Sequence, residues 1–422
     1  LAKPDLAGSL VGLELFKAAE RGVRVRLLVD DAFTKSKDRD LAAFDAHPNI
    51  EVRIFNPMSR NSIKAMGYLL DFGRVNRRMH NKAFIVDGHM AIIGGRNIAD
   101  EYFQIDTSSE FADFDLFVAG PVVDDLGAGF DTYWSDRWSV PVASLYAGAS
   151  DEEVRAAIAA FDSRAQSPEA DIYRRARESR YLSDLREGRI KPVSGTATAV
   201  VDPPGKLRLR QGGTRQDTAR KLMTAMDRAR SDIVLLTPYF VPEAYGAEFF
   251  ARLAQRGVRV RVVTNSLAST NHPYVHGGYT PYRRTLLKAG IELYEIRADA
   301  AQHLGLVPMD SPLKLTMHTK VVVIDDDQVF ISSMNWDPRS IKLNSELGLL
   351  IDSPSLNRDL RSGIDDGIDD FTFRVGLFED GRLVWDDLSG DPVLRRFDEP
   401  GASGFEKFIA DVTTLLPVEG QL

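Results

Sequence analysis

Cysteine is absent from the 422 residues. That excludes disulfides, thiolate metal ligands and cysteine nucleophiles together, and it fits any redox compartment. Also absent is any run near the roughly 20 apolar residues that a membrane-spanning helix needs. A basic balance is missing too: 53 Lys and Arg stand against 61 Asp and Glu, a net charge of −8. Broad nucleic-acid binding shows as a basic domain, so nucleic acid is not the expected partner, although a local basic patch stays open. No secretory signal pattern appears. The chain starts at Leu1 rather than Met, which reads as the loss of a natural start together with any anchor or leader it carried. What remains is a globular composition with 44% hydrophobic and 27% charged residues, enough for a sizeable core. The length fits two or three domains, or one large duplicated one.

Duplication is what the chain does have. "RRMHNKAFIVDGHMAIIGGRN" at residues 77–97 reappears as "LTMHTKVVVIDDDQVFISSMN" at 315–335. His80 and His318 are 238 residues apart, and a shared "RGVRVR" recurs upstream at a spacing of 235. Downstream, "FADFDLFVAGPVV" at 111–123 parallels "NSELGLLIDSPSL" at 344–356. Three echoes in one order at nearly one offset mean two copies of one unit. Each unit reads as α/β. "SLVGLELFKAAERG" has helical periodicity ending at Gly22, and "VRVRLLV" follows as a strand. The second unit adds a buried strand, "DIVLLTPYFVP", ahead of its helix. No counterpart precedes the first, so one central strand of that half is expected to be missing. The expected organisation is a first unit at 1–138, a charged helical connection at 139–195, a second unit at 196–370, and a tail at 371–422. The tail reads as a hairpin around Asp380-Gly381 and a closing helix.

Strand parity sorts the repeated motif. His80 and Lys82 fall on one face of an extended strand, as do His318 and Lys320. Asp87 and Asp325 have the opposite parity and sit where "DG" and "DD" turn a hairpin. They belong to the motif as catalytic candidates, but parity gives them the work of bracing the turns. Carboxylates to orient the imidazoles come instead from the downstream echo: Asp113, with Asp115 as its rival, and Glu346. Asn97 and Asn335 match each other and can hydrogen-bond an oxyanion. Two histidines and two lysines converging across a pseudo-two-fold suit an anionic, phosphate-like centre. One neutral imidazole attacks phosphorus, and the other, protonated, gives the leaving alcohol its proton. The result is a two-step exchange through a phosphohistidine, with no metal or cofactor expected.

These residues resemble the signature of the phospholipase D superfamily, His-x-Lys-x4-Asp with a small-residue pair and an Asn after it. The likeness occurs twice and spans nearly the whole chain. "RRMHNKAFIVDGHMAIIGGRNIADEYF", "TPYFVP" and "VVDPPGK" are most similar to bacterial cardiolipin synthases, specifically their C-type branch. The resemblance implies an internally duplicated α-β-α fold with one active site shared between the units. It further implies transfer of a phosphatidyl group from phosphatidylglycerol or phosphatidylethanolamine to phosphatidylglycerol, forming cardiolipin. By resemblance alone, His80 is the nucleophile and His318 the acid/base; the near-symmetric copies leave that order open. A lipid hydrolase and a nucleic-acid phosphodiesterase are the competing activities.

Lipid is the expected partner, at the surface of a bacterial membrane. Residues 62–82 mix apolar side chains at 66–72 with Lys64, Arg74, Arg77 and Arg78, a composition that serves an interfacial lid or an ordinary packed helix. Arg74 and Arg78 are therefore candidate substrate-binding residues, with Tyr239. His272, Tyr274, His276 and Tyr279 are candidates for a head-group pocket, half of them going to loop packing.

Overall fold

The structure is a computed structural model and describes residues 3–32, 38–60, 71–106, 108–146, 148–209 and 217–422. Its largest feature is a ten-stranded sheet in the second half. Asp232–Leu236 sits inside it, parallel to Arg259–Asn265 on one side and antiparallel to Val321–Ile324 on the other. Such strands are buried on both faces and so read as continuous apolar runs. Val322 and Phe330 point into a core with helices Asp217–Asp227 and Glu243–Gln255, while Val321, Val323 and Ile331 point the other way, towards Ile93 and Leu126 of the first half.

The first half repeats the local plan with a different sheet. Helix Leu6–Glu20 stops just before Gly22, whose φ of 89° is a conformation that glycine adopts without penalty. Strand Val25–Asp30 follows and pairs parallel with Ile50–Phe55. A separate three-stranded sheet is built from Ala83–Val86, Met90–Gly94 and Asp115–Ala119. Val25–Asp30 and Ala83–Val86 thus belong to separate sheets, whereas in the second half Asp232–Leu236 joins Arg259–Asn265 and Val321–Ile324 into one.

Two element boundaries differ from those the sequence indicates. Strand Ser139–Pro141, assigned to the connection, pairs antiparallel with Ile50–Phe55 and belongs to the first sheet. The tail hairpin, Thr372–Leu377 and Leu383–Asp387, continues the second sheet beyond Glu292–Ile296. In both cases long-range pairing decides, which local pattern does not report. The connection is otherwise helical, and Asp151–Ala165 opens with a full capping box at Ser150 and Glu153.

The halves are joined by exchanged backbone. Strand Lys314–Met317 of the second pairs parallel with Ser109–Ala112 of the first. In mirror fashion, Met79 of the first bridges Ser345 of the second.

Candidate active site

That exchange delivers each histidine to the other half. His80 N–H donates to Ser345 O at 2.9 Å, and His318 N–H donates to Ala112 O at 2.7 Å. The next residue after each acceptor carries a carboxylate. Glu346 therefore faces His80, with Oε2 2.9 Å from Nδ1, and Asp113 faces His318, with Oδ2 2.6 Å from Nδ1. The carboxylates behind the imidazoles are crossed between the units. Each carboxylate is buried, and each fixes the tautomer of its ring by accepting a hydrogen bond from Nδ1–H, leaving Nε2 for chemistry. Asp115, the rival of Asp113, binds Arg96 Nε at 2.5 Å instead.

The lysines complete the pair of motifs. Lys82 Nζ reaches back to His80 O at 2.9 Å and Lys320 Nζ to His318 O at 2.5 Å, 2.9 Å from His318 Nδ1. Burial, with the charges of Lys82 and Lys320, drives His80 down to about 4 against the pull of Glu346. His318 is held well below its ordinary value by burial and by both lysines. Burial also brings Lys82 down to about 7 and Lys320 to about 8. The carboxylates part company. Burial alone would push Glu346 up, but His80 and Lys82 outweigh it and hold it low, whereas burial keeps Asp113 raised. The site gathers two neutral imidazoles and two lysines, with a carboxylate behind each ring.

The small-residue pairs now have a reason. A Cβ on Gly95 would stand 2.5 Å from Asp113 Oδ1, so only glycine leaves room for the short Asp side chain there. At the matching place Ser333 Oγ donates to Glu346 Oε2 at 2.5 Å, using the longer reach of Glu. Asn97 donates to Tyr102 Oη at 2.7 Å, and Tyr102 in turn lays its ring edge-on to His318, centroids 5.1 Å apart. Asn335 is buried and its Oδ1 has no hydrogen-bond partner among the described residues. Beside it, burial brings Asp337 up to about 7.

Other candidates lie elsewhere. Asp87 is exposed at its hairpin turn with φ 54°. Asp325, φ 46°, accepts the backbone amides of Arg230, Ser231 and Asp232 and ties its hairpin to strand Asp232–Leu236. Neither reaches the imidazoles, as parity requires. Arg78 is not a substrate-binding residue: it is 2% exposed and forms an ion pair with Asp30 at 2.9 Å. Arg74 is bound to Asp71, Asn56 and Pro57 O, and Arg77 to Leu209 O, so the basic row of the expected lid is tied to protein. The lid's residues 62–70 lie outside the described residues. Tyr239 does stand at the site, its ring centroid 6.4 Å from that of His318, and His272 packs against Tyr239 at 5.5 Å. His276 and Tyr279 do not. His276 accepts from buried Arg283 at 2.6 Å, and Tyr279 stacks beneath the same guanidinium. His276, Glu295 and Glu399 approach one another like a ligand set, but Arg283 occupies the space between them.

Sequence reasoning missed Asp202 and Lys206, although "VVDPPGK" contains both. Glu346 N–H donates to Asp202 Oδ2 at 3.0 Å, and Lys206 Nζ, also buried, pairs with the same oxygen at 2.8 Å. This pair sets the backbone from which Glu346 reaches His80. A lone Asp four residues before a Lys carries no signal of that role. Tyr102 and Phe111, edge-on to His318, were equally silent.

A family model described as "Cardiolipin synthase, PLD-like domain" matches residues 6–134 and 222–366. Cardiolipin synthase C of Escherichia coli is 34% identical over 420 residues, covering 98% of this chain and 88% of that protein. A Clostridium perfringens cardiolipin synthase is 24% identical, covering 85% and 62%. In fold, the chain resembles the crystal structure of Haemophilus influenzae phosphatidylserine synthase, with a TM-score of 0.55 at 13% identity, covering 98% and 93%.

Proposed function

Because the chain belongs to the PLD-like cardiolipin synthase family, we propose that it makes cardiolipin by moving a phosphatidyl group from one phospholipid to phosphatidylglycerol through His80. The observation that carries this reading is the crossed pairing of His80 with Glu346 and His318 with Asp113. His80 Nε2, unprotonated because Nδ1–H is given to Glu346, attacks the phosphodiester phosphorus. The bond to the leaving glycerol or ethanolamine breaks, and His318 Nε2–H supplies its proton. Bound phosphodiester brings negative charge against His318 and supports its protonated form. In the second step the hydroxyl of a phosphatidylglycerol gives its proton to His318, its oxygen attacks phosphorus, and the P–N bond to His80 breaks. Lys82 and Lys320 neutralise the non-bridging oxygens, and Asn97 and Asn335 donate to the same charge. Tyr239 and His272 line the side on which the head group lies.

Labelled phosphatidylglycerol, offered with and without phosphatidylethanolamine, tests the activity. Cardiolipin is the expected product. Phosphatidic acid alone would make the protein a hydrolase, and an unchanged rate without phosphatidylethanolamine would remove it as a donor.

A further inference from the structure

Helix Gly404–Leu415 has its sides reversed for a helix that only packs on a core. Ala410 and Thr413 are its buried residues. They press on helix Pro273–Tyr279 at Gly277, where an added Cβ would stand 2.5 Å from Ala410 O and 2.9 Å from Thr413 Cβ. Its large apolar side chains face out instead. Phe405, Phe408, Val412 and Leu415, at i, i+3, i+7 and i+10, are 71%, 63%, 38% and 83% exposed. Leu416, just past the helix end, is half exposed. An amphipathic helix normally turns that stripe inward, so an outward one marks a contact.

Both neighbours of this helix lead to the active site. Helix Pro273–Tyr279 starts at His272, whose ring lies 5.5 Å from Tyr239. Lys314 Nζ meets Glu406 Oε1 at 3.3 Å, and Lys314 opens the strand that ends at Met317, next to His318. Ahead of that strand, Leu306 and Met309 are also exposed. The two bordering lysines are paired, Lys407 with Asp398 and Lys314 with Glu406, and the helix also carries exposed Asp411.

We infer that this face is where the protein sits on a phospholipid bilayer, with the Phe405–Phe408–Val412–Leu415 ridge in the acyl boundary beside the site. The inference rests on the lipid-substrate reading above. A second copy is a poorer fit. A ridge of 12 residues is about 18 Å long and 10 Å wide, well short of the roughly 800 Å² per partner in a standard interface. Because both bordering lysines are already paired, attachment is apolar and depends little on salt or on anionic lipid. None of the helices in the described residues is long and apolar enough to cross a membrane, so a surface ridge is a route by which this part of the chain reaches its substrate.

The test compares the full chain with its Phe405→Ser/Phe408→Ser/Leu415→Ser variant on vesicles of phosphatidylcholine, with or without phosphatidylglycerol. The parent is expected to sediment with both kinds at low and high salt. Binding by the variant, and its turnover of vesicle lipid, should fall at least about tenfold, while turnover of short-chain, monomeric phosphatidylglycerol stays unchanged. Phe408→Trp should be quenched by brominated acyl chains. Vesicle binding equal to the parent's would overturn the inference, as would loss of short-chain turnover in the variant or a switch from dimer to monomer with binding intact. A parent that binds vesicles but converts no lipid would remove the proposed function and leave the docking face standing.

Discussion

In the first half, Asp30 steadies the segment before His80 by accepting from Met79 N–H at 3.0 Å and pairing with buried Arg78. In the second half, Asn265 does the same for the segment before His318 without charge. Its Oδ1 accepts from Met317 N–H at 2.9 Å and its Nδ2 donates to Met317 O at 2.8 Å. The small pairs differ in the same spirit: Gly95 makes room for Asp113, where Ser333 hydrogen-bonds Glu346. The sheets differ most, one continuous and one divided. The copies have kept the placement of His and Lys while changing nearly everything that supports it. On the proposed reaction, geometry at phosphorus is the shared constraint; the supports are free to diverge, and their divergence gives the two imidazoles unequal surroundings.

The sharpest way to break this comparison is at the small pairs. Gly95→Ala drives a methyl into Asp113 and, by displacing it, should lower turnover about 100-fold. Ser333→Ala removes one hydrogen bond from Glu346 and should cost about tenfold. Equal effects in steady-state kinetics would mean that the two pairs do one job. Next come the supports before the histidines. Asp30→Ala leaves Arg78 buried without its carboxylate and should destabilise the fold by about 3–5 kcal/mol. Asn265→Ala loses only neutral hydrogen bonds, roughly 1–3 kcal/mol. Urea unfolding measures both, and a larger loss at Asn265 would reverse the ranking.

A smaller effect concerns pH. The unfolded chain takes up a proton on His80 near pH 6.5, whereas the folded chain takes it up only at about 4. The unfolded state therefore binds more protons between those values, and stability should fall as pH drops from 6.5 towards 4. His80→Ala should flatten the part of that slope that belongs to His80; an unchanged slope would place the lost stability elsewhere.

Much of the plan is legible in the sequence because duplication writes it twice. Offset pairs His80 with His318, the downstream echo pairs Asp113 or its rival Asp115 with Glu346, and parity sends Asp87 and Asp325 to the turns. The crossing of carboxylates is not legible, because an echo at constant offset says which residues correspond, not which ones meet. Charge was misleading where burial decides. Arg78 and His276 look like ligands for an anionic lipid in a string of letters, yet each is satisfied inside the protein by Asp30 or Arg283. Asp202 and Lys206 were invisible because a buried pair leaves no periodic trace.

In the proposed reaction Glu346 of the second half serves His80 as nucleophile, and Asp113 of the first half serves His318 as acid. A phosphatidyl ester of p-nitrophenol tests it directly, since that leaving group needs no proton. The measurement is the burst of p-nitrophenol from Asp113→Asn and Glu346→Gln proteins. A burst is expected from Asp113→Asn, one equivalent per chain with label trapped on His80, and none from Glu346→Gln. A burst from Glu346→Gln and none from Asp113→Asn would contradict it.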